Sequence, residues 1–265
     1  MTSGVLDLDK TRISYEFDQK NTDPTVTMIH CFGSNKNYWD FHKKSYLDYN
    51  SLIIDVPGHG ESKLYDGPCT LSQIADDIVA LLDHLGIQKI HIVGHSLGGM
   101  IGPAYALSFP KNVASISILS SAAFRTMDDK TKVNAVLQSM RDKGISPILS
   151  TLTDRWFSDD FIEKRFIDVE SRLQQVIDTD PDVFLEVFRI YAETEMSPWL
   201  NKIKHPCLVL TGENDGGCSP RLNNLIASSL SNSELCILKN YKHSLLLEAP
   251  HEVGEEVRKF LLKQS

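Results

Sequence analysis

A serine lies between two glycines at the point where a strand pattern gives way to a helical one. The strand pattern Ile90 to Val93 precedes residues 94 to 98, which read Gly-His-Ser-Leu-Gly. A sharp strand-to-helix turn strains the backbone of its central residue, and a Cβ two residues before or after it would collide with the turn. The pattern therefore predicts that Ser96 is a nucleophile. The N–H of Leu97, at the start of the helix, is then a donor for the oxyanion that forms when Ser96 attacks a carbonyl group.

A nucleophilic serine needs a general base, and position along the chain selects it among the nine histidines. His243 follows the last predicted strand by a few residues, so we expect it in a loop at the edge of the sheet where ligands bind. His251 follows Pro250 near the start of the terminal helix, which is typical of a solvent-exposed residue at a helix end. The base is therefore predicted to be His243.

The base in turn needs a buried carboxylate that holds its imidazole in one tautomer and stabilises the cation. Asp215 ends residues 208 to 215, Leu-Val-Leu-Thr-Gly-Glu-Asn-Asp, a buried-strand pattern that breaks into a turn. The chain order Ser, Asp, His is the order found where this kind of turn carries the nucleophile. Glu213 is the alternative carboxylate. It lies nearer the strand, and because side chains alternate in direction along an extended chain, its position in the turn differs from that of Asp215.

A second oxyanion donor is expected in the loop after an earlier strand. The strand pattern Thr25 to Ile29 leads into residues 30 to 34, His-Cys-Phe-Gly-Ser. We predict that the backbone N–H of Phe32 is this donor. Gly33 would permit the tight turn, and the Phe32 side chain would form part of the pocket wall.

The elements that must position these residues alternate between short apolar strands and amphipathic helices. The clearest helical pattern covers residues 71 to 85, where Thr70 is a capping residue and Gly86 marks the end. Alternation of this kind predicts an α/β fold with a mostly parallel sheet and ligands bound beyond the carboxyl ends of its strands. The predicted strands are Arg12 to Phe17, Thr25 to Ile29, Leu52 to Ile54, Ile90 to Val93, Ile116 to Leu119, Cys207 to Leu210 and Leu235 to Leu238.

One long segment breaks the alternation. From about Arg125 to Pro198 helical patterns occur without a convincing strand, although an ordinary crossover needs only about a dozen residues. We therefore predict a core formed by residues 1–124 and 199–265 and a helical cap formed by residues 125–198.

Composition narrows the classes of partner. The 265 residues are 42% hydrophobic and 23% charged, which suits one globular unit, and the net charge of −8 argues against a nucleic-acid partner. The chain has neither a signal-peptide pattern nor an apolar run long enough for a membrane. Five cysteines without a C-x-x-C pair favour a reduced, cytoplasmic location and no metal site, and the predicted chemistry requires no cofactor.

These motifs together resemble the α/β-hydrolase superfamily. The resemblance covers nearly the whole chain and includes residues 30–33, the signature at 55–62, residues 94–99, residues 212–215 and Lys242-His243. It implies an α/β-hydrolase fold with helices on both faces of the sheet and a helical cap inserted after strand 6. It also implies a triad of Ser96, Asp215 and His243. Many relatives carry Gly where this chain has Cys31, so we expect no positive φ there.

Serine as the nucleophile argues against the haloalkane dehalogenase and epoxide hydrolase branches, which use Asp. Residues 154–161 of the cap are similar to the corresponding segment of 3-oxoadipate enol-lactonases, which hydrolyse a small anionic lactone. The similarity implies that Arg155 or Arg125 pairs with a substrate carboxylate and that Trp156 forms an apolar wall.

The predicted function is hydrolysis of a small carboxylic ester, thioester or lactone through an acyl-serine intermediate. Three alternatives stay open. One is hydrolysis of a carbon–carbon bond, as in meta-cleavage hydrolases; another is acyl transfer to an alcohol or thiol. The third is a small-molecule receptor that retains a hydrolase-like site. No oligomeric state is predicted.

Overall fold

Eight strands form a single sheet in the computed structural model, which describes residues 2–20, 23–67 and 69–264. The order across the sheet is β1-β2-β4-β3-β5-β6-β7-β8. The strands are β1 (Thr2–Asp7), β2 (Arg12–Asp18), β3 (Thr25–Ile29), β4 (Ser51–Ile54), β5 (Ile90–His95), β6 (Val113–Leu119), β7 (Cys207–Gly212) and β8 (Ser233–Leu238).

Most of the sheet is parallel. β1 pairs with β2 and β2 with β4 in antiparallel fashion, whereas every pair from β4 to β8 is parallel. The carboxyl ends of β3, β5, β7 and β8 therefore meet at one edge, where the loops with Phe32, Ser96, Asp215 and His243 begin.

Besides five 3₁₀ helices of three or four residues, the described part of the chain holds ten α-helices. They are α1 (Leu71–Leu85), α2 (Gly98–Ser108), α3 (Met127–Lys143), α4 (Leu149–Trp156), α5 (Asp159–Lys164), α6 (Phe166–Asp178), α7 (Pro181–Glu193), α8 (Pro220–Ser229), α9 (Leu245–Glu248) and α10 (Pro250–Leu262). The helix predicted over residues 71 to 85 is confirmed with its ends: the Thr70 side chain accepts from the N–H of Gln73, and Gly86 adopts φ 69°. None of the described helices is long and apolar enough to cross a membrane.

Helices cover both faces of the sheet because alternate strand residues face opposite sides. In β5, Ile92 packs in the cluster that contains α1, α2 and α8, whereas Val93 packs in the cluster that contains α9 and α10. Between β6 and β7 the chain forms α3 to α7 and, within the described residues, no strand. The predicted fold class, with a helical cap inserted after strand 6, is confirmed.

Candidate active site

The turn that carries Ser96 is held by close backbone packing. Ser96 has a φ of 56°, in the left-handed region that L-residues rarely adopt. A Cβ on Gly94 would lie 2.1 Å from the carbonyl oxygen of Gly98, and one on Gly98 would lie 2.2 Å from that of Ile29. Both distances are far below a van der Waals contact, so only glycine fits at these two positions, as the sequence predicts.

His243 and Asp215 form a buried hydrogen-bonded pair. The distance between His243 Nδ1 and Asp215 Oδ2 is 2.7 Å. The other carboxylate oxygen, Oδ1, accepts from the N–H groups of Gly217 (2.9 Å) and Cys218 (2.7 Å). Both oxygens of Asp215 are therefore satisfied without water, and the carboxylate is fixed in orientation. Glu213, the alternative, instead accepts from the N–H of Asn240.

Close contact between the two loops places this pair. A Cβ on Gly212, at the end of β7, would lie 2.4 Å from the carbonyl oxygens of Tyr241 and Lys242. The N–H of Asn214 donates to the Tyr241 carbonyl at 2.9 Å. Glycine at 212 thus lets the loop after β8 lie against the loop after β7, so His243 reaches Asp215.

The electrostatics of the pair favour its charged form. Burial acts to lower the pKa of His243, but the charge of Asp215 and the hydrogen bond to it outweigh burial and hold the pKa well above its usual value. Burial likewise acts to raise the pKa of Asp215, and its partners outweigh this and lower it. His95, which donates to the carbonyl of His243 at 2.9 Å, stays neutral because burial lowers its pKa to about 3.

Ser96 and His243 line the same cavity. The Oγ of Ser96 is fully buried and has no hydrogen-bond partner among the described residues, so its hydroxyl is available to a group that enters the cavity. No described group accepts a hydrogen bond from the N–H of Phe32 or from that of Leu97. Two free donors and a free hydroxyl are the groups that acyl transfer to serine requires.

The cavity is small and largely apolar. Its volume is about 60 Å³, well below the ~300 Å³ at which ligand pockets usually begin. Helices of the cap supply most of its wall, and Phe32 packs edge-on against Phe184 and Phe188 with ring centroids 5.6 and 5.1 Å away. The lining residues are Phe32, Ser96, Val133, Val136, Leu152, Arg155, Trp156, Phe188, Tyr191, Gly217 and His243.

The three cap residues predicted from the resemblance are placed differently. Arg155 and Trp156 line the cavity. Arg125 does not: its guanidinium lies 4.4 Å from the centre of the Tyr191 ring and donates to the carbonyl of Thr194. Arg125 therefore lies behind the wall that Tyr191 forms.

Arg172 also lies at this site and is not among the residues predicted from the sequence. It lies on α6 with only 3% of its surface exposed, and its guanidinium donates to the carbonyls of Phe32 and Gly33. The sequence does hold a signal, because Arg172 falls between Val169 and Val176 on the buried stripe of an amphipathic helix. A charge in such a stripe indicates a specific buried partner.

One group of described side chains is close enough to share a metal ion. The candidate ligand atoms of Asp215, Cys218 and His243 lie within 4.8 Å of one another. Because the Asp215 carboxylate already accepts from His243 and from two backbone N–H groups, we interpret this group as part of the acid–base pair.

Comparison with known proteins identifies the family of this chain. The profile of the alpha/beta hydrolase fold matches residues 24–161. Over 193 residues, 72% of each chain, the sequence is 30% identical to 3-oxoadipate enol-lactonase 2 of Acinetobacter baylyi. It is 24% identical to the (E)-2-((N-methylformamido)methylene)succinate hydrolase of the same organism, over 98% of both chains.

Among solved structures, the enol-lactonase from Burkholderia xenovorans superposes with a TM-score of 0.89. That similarity covers 98% of this chain and 100% of the other at 21% identity, and so concerns the fold alone. The matched profile spans more than half of the chain and includes the strand, turn and helix around Ser96. The chain therefore belongs to the α/β-hydrolase family.

Proposed function

We propose that the protein is a serine hydrolase that cleaves a small carboxylic ester or lactone, with thioesters as further candidates. Ser96 attacks the carbonyl carbon while His243 Nε2 takes the serine proton, and Asp215 stabilises the imidazolium. The N–H groups of Phe32 and Leu97 bind the oxyanion. When the intermediate collapses, His243 returns the proton to the leaving alkoxide, and water then hydrolyses the acyl-serine by the same steps.

One observation carries this proposal. The buried hydroxyl of Ser96 opens to the same cavity as His243, whose other ring nitrogen is bonded to Asp215 at 2.7 Å. A serine at positive φ is a strained arrangement, and such strain is typical of functional sites.

The charge in the cavity wall supports an anionic substrate. Apart from His243, Arg155 is the one ionisable cation among the lining residues, and no described carboxylate pairs with it. A carboxylate on the substrate would supply that partner. The small volume favours a short acyl group, and the similarity to an enol-lactonase supports the same substrate class.

The test combines labelling with a matched pair of substrates. A fluorophosphonate probe is expected to form a single adduct on Ser96, located by mass spectrometry. Small lactones and p-nitrophenyl esters, each with and without a distal carboxylate, then report selectivity. Absence of an adduct in the folded protein would refute the proposal.

The Arg155→Met variant tests the anionic preference. We expect kcat/KM to fall about 10-fold or more for the carboxylate-bearing substrate, because a charge-assisted hydrogen bond is lost, and to change little for its neutral analogue. Arg165→Met is the matched control, since Arg165 is exposed on the cap and pairs with Asp168. An equal fall for both substrates would show that Arg155 acts on the fold rather than on the substrate charge.

A further inference from the structure

Arg172 is a buried cation without a carboxylate partner. No ion pair involves it among the described residues, and its charge is instead surrounded by two carbonyl oxygens, the Cys31 sulfur and the faces of two aromatic rings. It donates to Phe32 O at 3.1 Å and also to Gly33 O, and its guanidinium carbon lies 4.7 Å from the centre of the Trp156 ring. Burying a guanidinium costs free energy, and its N–H groups form a rigid fork of donors. A buried fork of this kind indicates that Arg172 has a specific role in holding the groups to which it donates.

What it holds is the loop that carries a predicted oxyanion donor. His59 Nε2 accepts from the N–H of Gly33 at 2.8 Å, and His30 Nδ1 lies 2.6 Å from the carbonyl oxygen of Cys31. Burial lowers the pKa of His59 to about 3, so its ring stays neutral and can accept this bond. The carbonyls of Cys31, Phe32 and Gly33 and the N–H of Gly33 are thus bonded, whereas no described group accepts from the Phe32 N–H.

The loop needs external support because of Gly33. This residue adopts a φ of 62°, and a Cβ there would lie 2.6 Å from the ring of Phe184, so glycine is required. Glycine also has the widest choice of backbone conformations. Rotation about the backbone bonds of Gly33 would therefore let the preceding residue move, and the N–H of Phe32 would turn away from the cavity. An oxyanion donor is effective only when it is held in place before the charge develops.

We infer that Arg172 is a positioning residue through which the cap orders the oxyanion loop, an inference that rests on the function proposed above. His30 and His59 belong to the core, whereas Arg172 comes from α6 of the cap. The guanidinium of Arg172 fixes the carbonyls of Phe32 and Gly33, one on each side of the Gly33 Cα, and so limits the rotation at Gly33 that would move the Phe32 N–H away from the cavity. The cap thereby contributes to transition-state stabilisation as well as to substrate contact.

The experiment compares Arg172→Met with Arg172→Lys and with a matched control, Arg189→Met. Arg189 is another cap arginine that donates to a core carbonyl, that of Cys69 at 3.2 Å, but it does not line the cavity. Active-site titration with a fluorophosphonate gives the competent fraction of each variant. Kinetics on a short neutral ester, inhibition by a small alkylboronic acid and amide exchange at Gly33 are then measured.

For Arg172→Met we expect kcat to fall about 100-fold with KM nearly unchanged, since a misaimed donor affects the transition state rather than ground-state binding. The inhibition constant of the boronic acid, whose tetrahedral adduct resembles that state, should rise in the same proportion. Arg172→Lys should lie between, because an ammonium cannot reproduce the fork. Arg189→Met should change none of these values more than about 3-fold.

Different results would overturn the inference. An increase in KM for an anionic substrate at constant kcat would mean that Arg172 binds substrate. A loss of competent protein with unchanged kinetics per active site would mean a structural role only. Boronic acid inhibition that is equal in all variants would also refute positioning.

Amide exchange separates this inference from the proposed function, because it needs no turnover. We expect Gly33 exchange to accelerate about 10-fold or more in Arg172→Met and to stay constant in Arg189→Met. If the wild-type protein hydrolyses no ester or lactone but exchange accelerates, the proposed function fails and the positioning role stands. If the wild-type protein is active and exchange does not change, the positioning role fails alone.

Discussion

The turn around Ser96 and the wall of the cap are built by different means. The turn is fixed by contacts between backbone atoms. These contacts are possible because Gly94 and Gly98 have no Cβ. The opposite wall consists of side chains from α3, α4 and α7, such as Val136, Leu152 and Phe188, projected from helices. The first region cannot accept a larger residue, whereas the second can accept many apolar residues of similar volume.

This contrast separates reaction from selectivity. The groups that we propose to perform the chemistry are attached to loops at the edge of the sheet, and small residues let those loops touch. Most groups that line the cavity come from an insertion whose side chains can change while the sheet stays intact. Substitutions in the two regions should therefore differ in size and in kind of effect.

The largest effect is expected from Ser96→Ala. Removing the attacking oxygen should reduce kcat by about 10⁶-fold, as expected for a nucleophile in a serine hydrolase. The side chain makes no hydrogen bond among the described residues, so the melting temperature should stay close to that of the wild-type protein. Turnover and thermal unfolding are measured on the same sample, and residual esterase activity above about 1% would exclude Ser96 as the nucleophile.

Asp215→Asn should have the next largest effect. The Asn oxygen can keep the bonds from the N–H groups of Gly217 and Cys218, so its NH₂ group faces His243 Nδ1. Nδ1 of His243 must then accept a hydrogen bond, so the proton of the neutral ring lies on Nε2. A protonated Nε2 cannot take the proton of the Ser96 hydroxyl. We expect kcat to fall about 10⁴-fold. Glu213→Gln, the matched control, should change kcat little because the hydrogen bond that the Glu213 carboxylate makes among the described residues is to the Asn240 N–H of the nearby loop.

The pH profile sharpens the same prediction. His243 must be neutral to act as base, and Asp215 raises its pKa well above the usual value. In the wild-type protein kcat/KM should therefore fall as pH decreases, with the midpoint above the ~6.5 of a free histidine. In Asp215→Asn the carboxylate is gone and burial remains, so the midpoint of the residual activity should move to lower pH. A profile that is independent of pH between about 5 and 9 would contradict His243 as the base.

Local patterns explain which parts of the molecule could be predicted. The turn at Ser96 and the ends of α1 leave a local pattern of residue types, so a short stretch of sequence predicts them, although part of the reason for Gly98 is its contact with the distant Ile29 carbonyl. β1 was not predicted because its side chains are largely exposed and only its pairing with β2 makes it a strand. Such an edge strand lacks the hydrophobic signal of the buried ones.

The cap shows the limit of the same reasoning. The resemblance named Arg125 and Arg155 as alternatives, and only tertiary packing places one behind Tyr191 and the other at the cavity. Arg172 contacts residues about 140 positions earlier in the chain, a relation that no local pattern contains. What the sequence did hold was its place on the buried stripe of α6, which indicates burial but not a partner.

The smallest effect is expected from Val136→Ala, which enlarges the cavity from the side of the cap. Val136 is half-buried on α3 and lines the cavity, so its truncation adds space without opening a large core void. We expect kcat/KM for esters with an acyl chain one or two methylenes longer to rise a few-fold relative to kcat/KM for acetate esters. A methylene that fills an apolar pocket completely changes kcat/KM by about 10-fold or more, and the space left by Val136→Ala fits the added methylene only in part. Val183→Ala, on α7 but outside the cavity lining, is the control and should leave the preference unchanged. An equal shift of the acyl-chain preference in both variants would mean that the cap loosens as a whole.

An unchanged acyl-chain preference in Val136→Ala would mean that the acyl chain does not bind against α3. The residues that determine selectivity would then have to lie nearer the turn at Ser96.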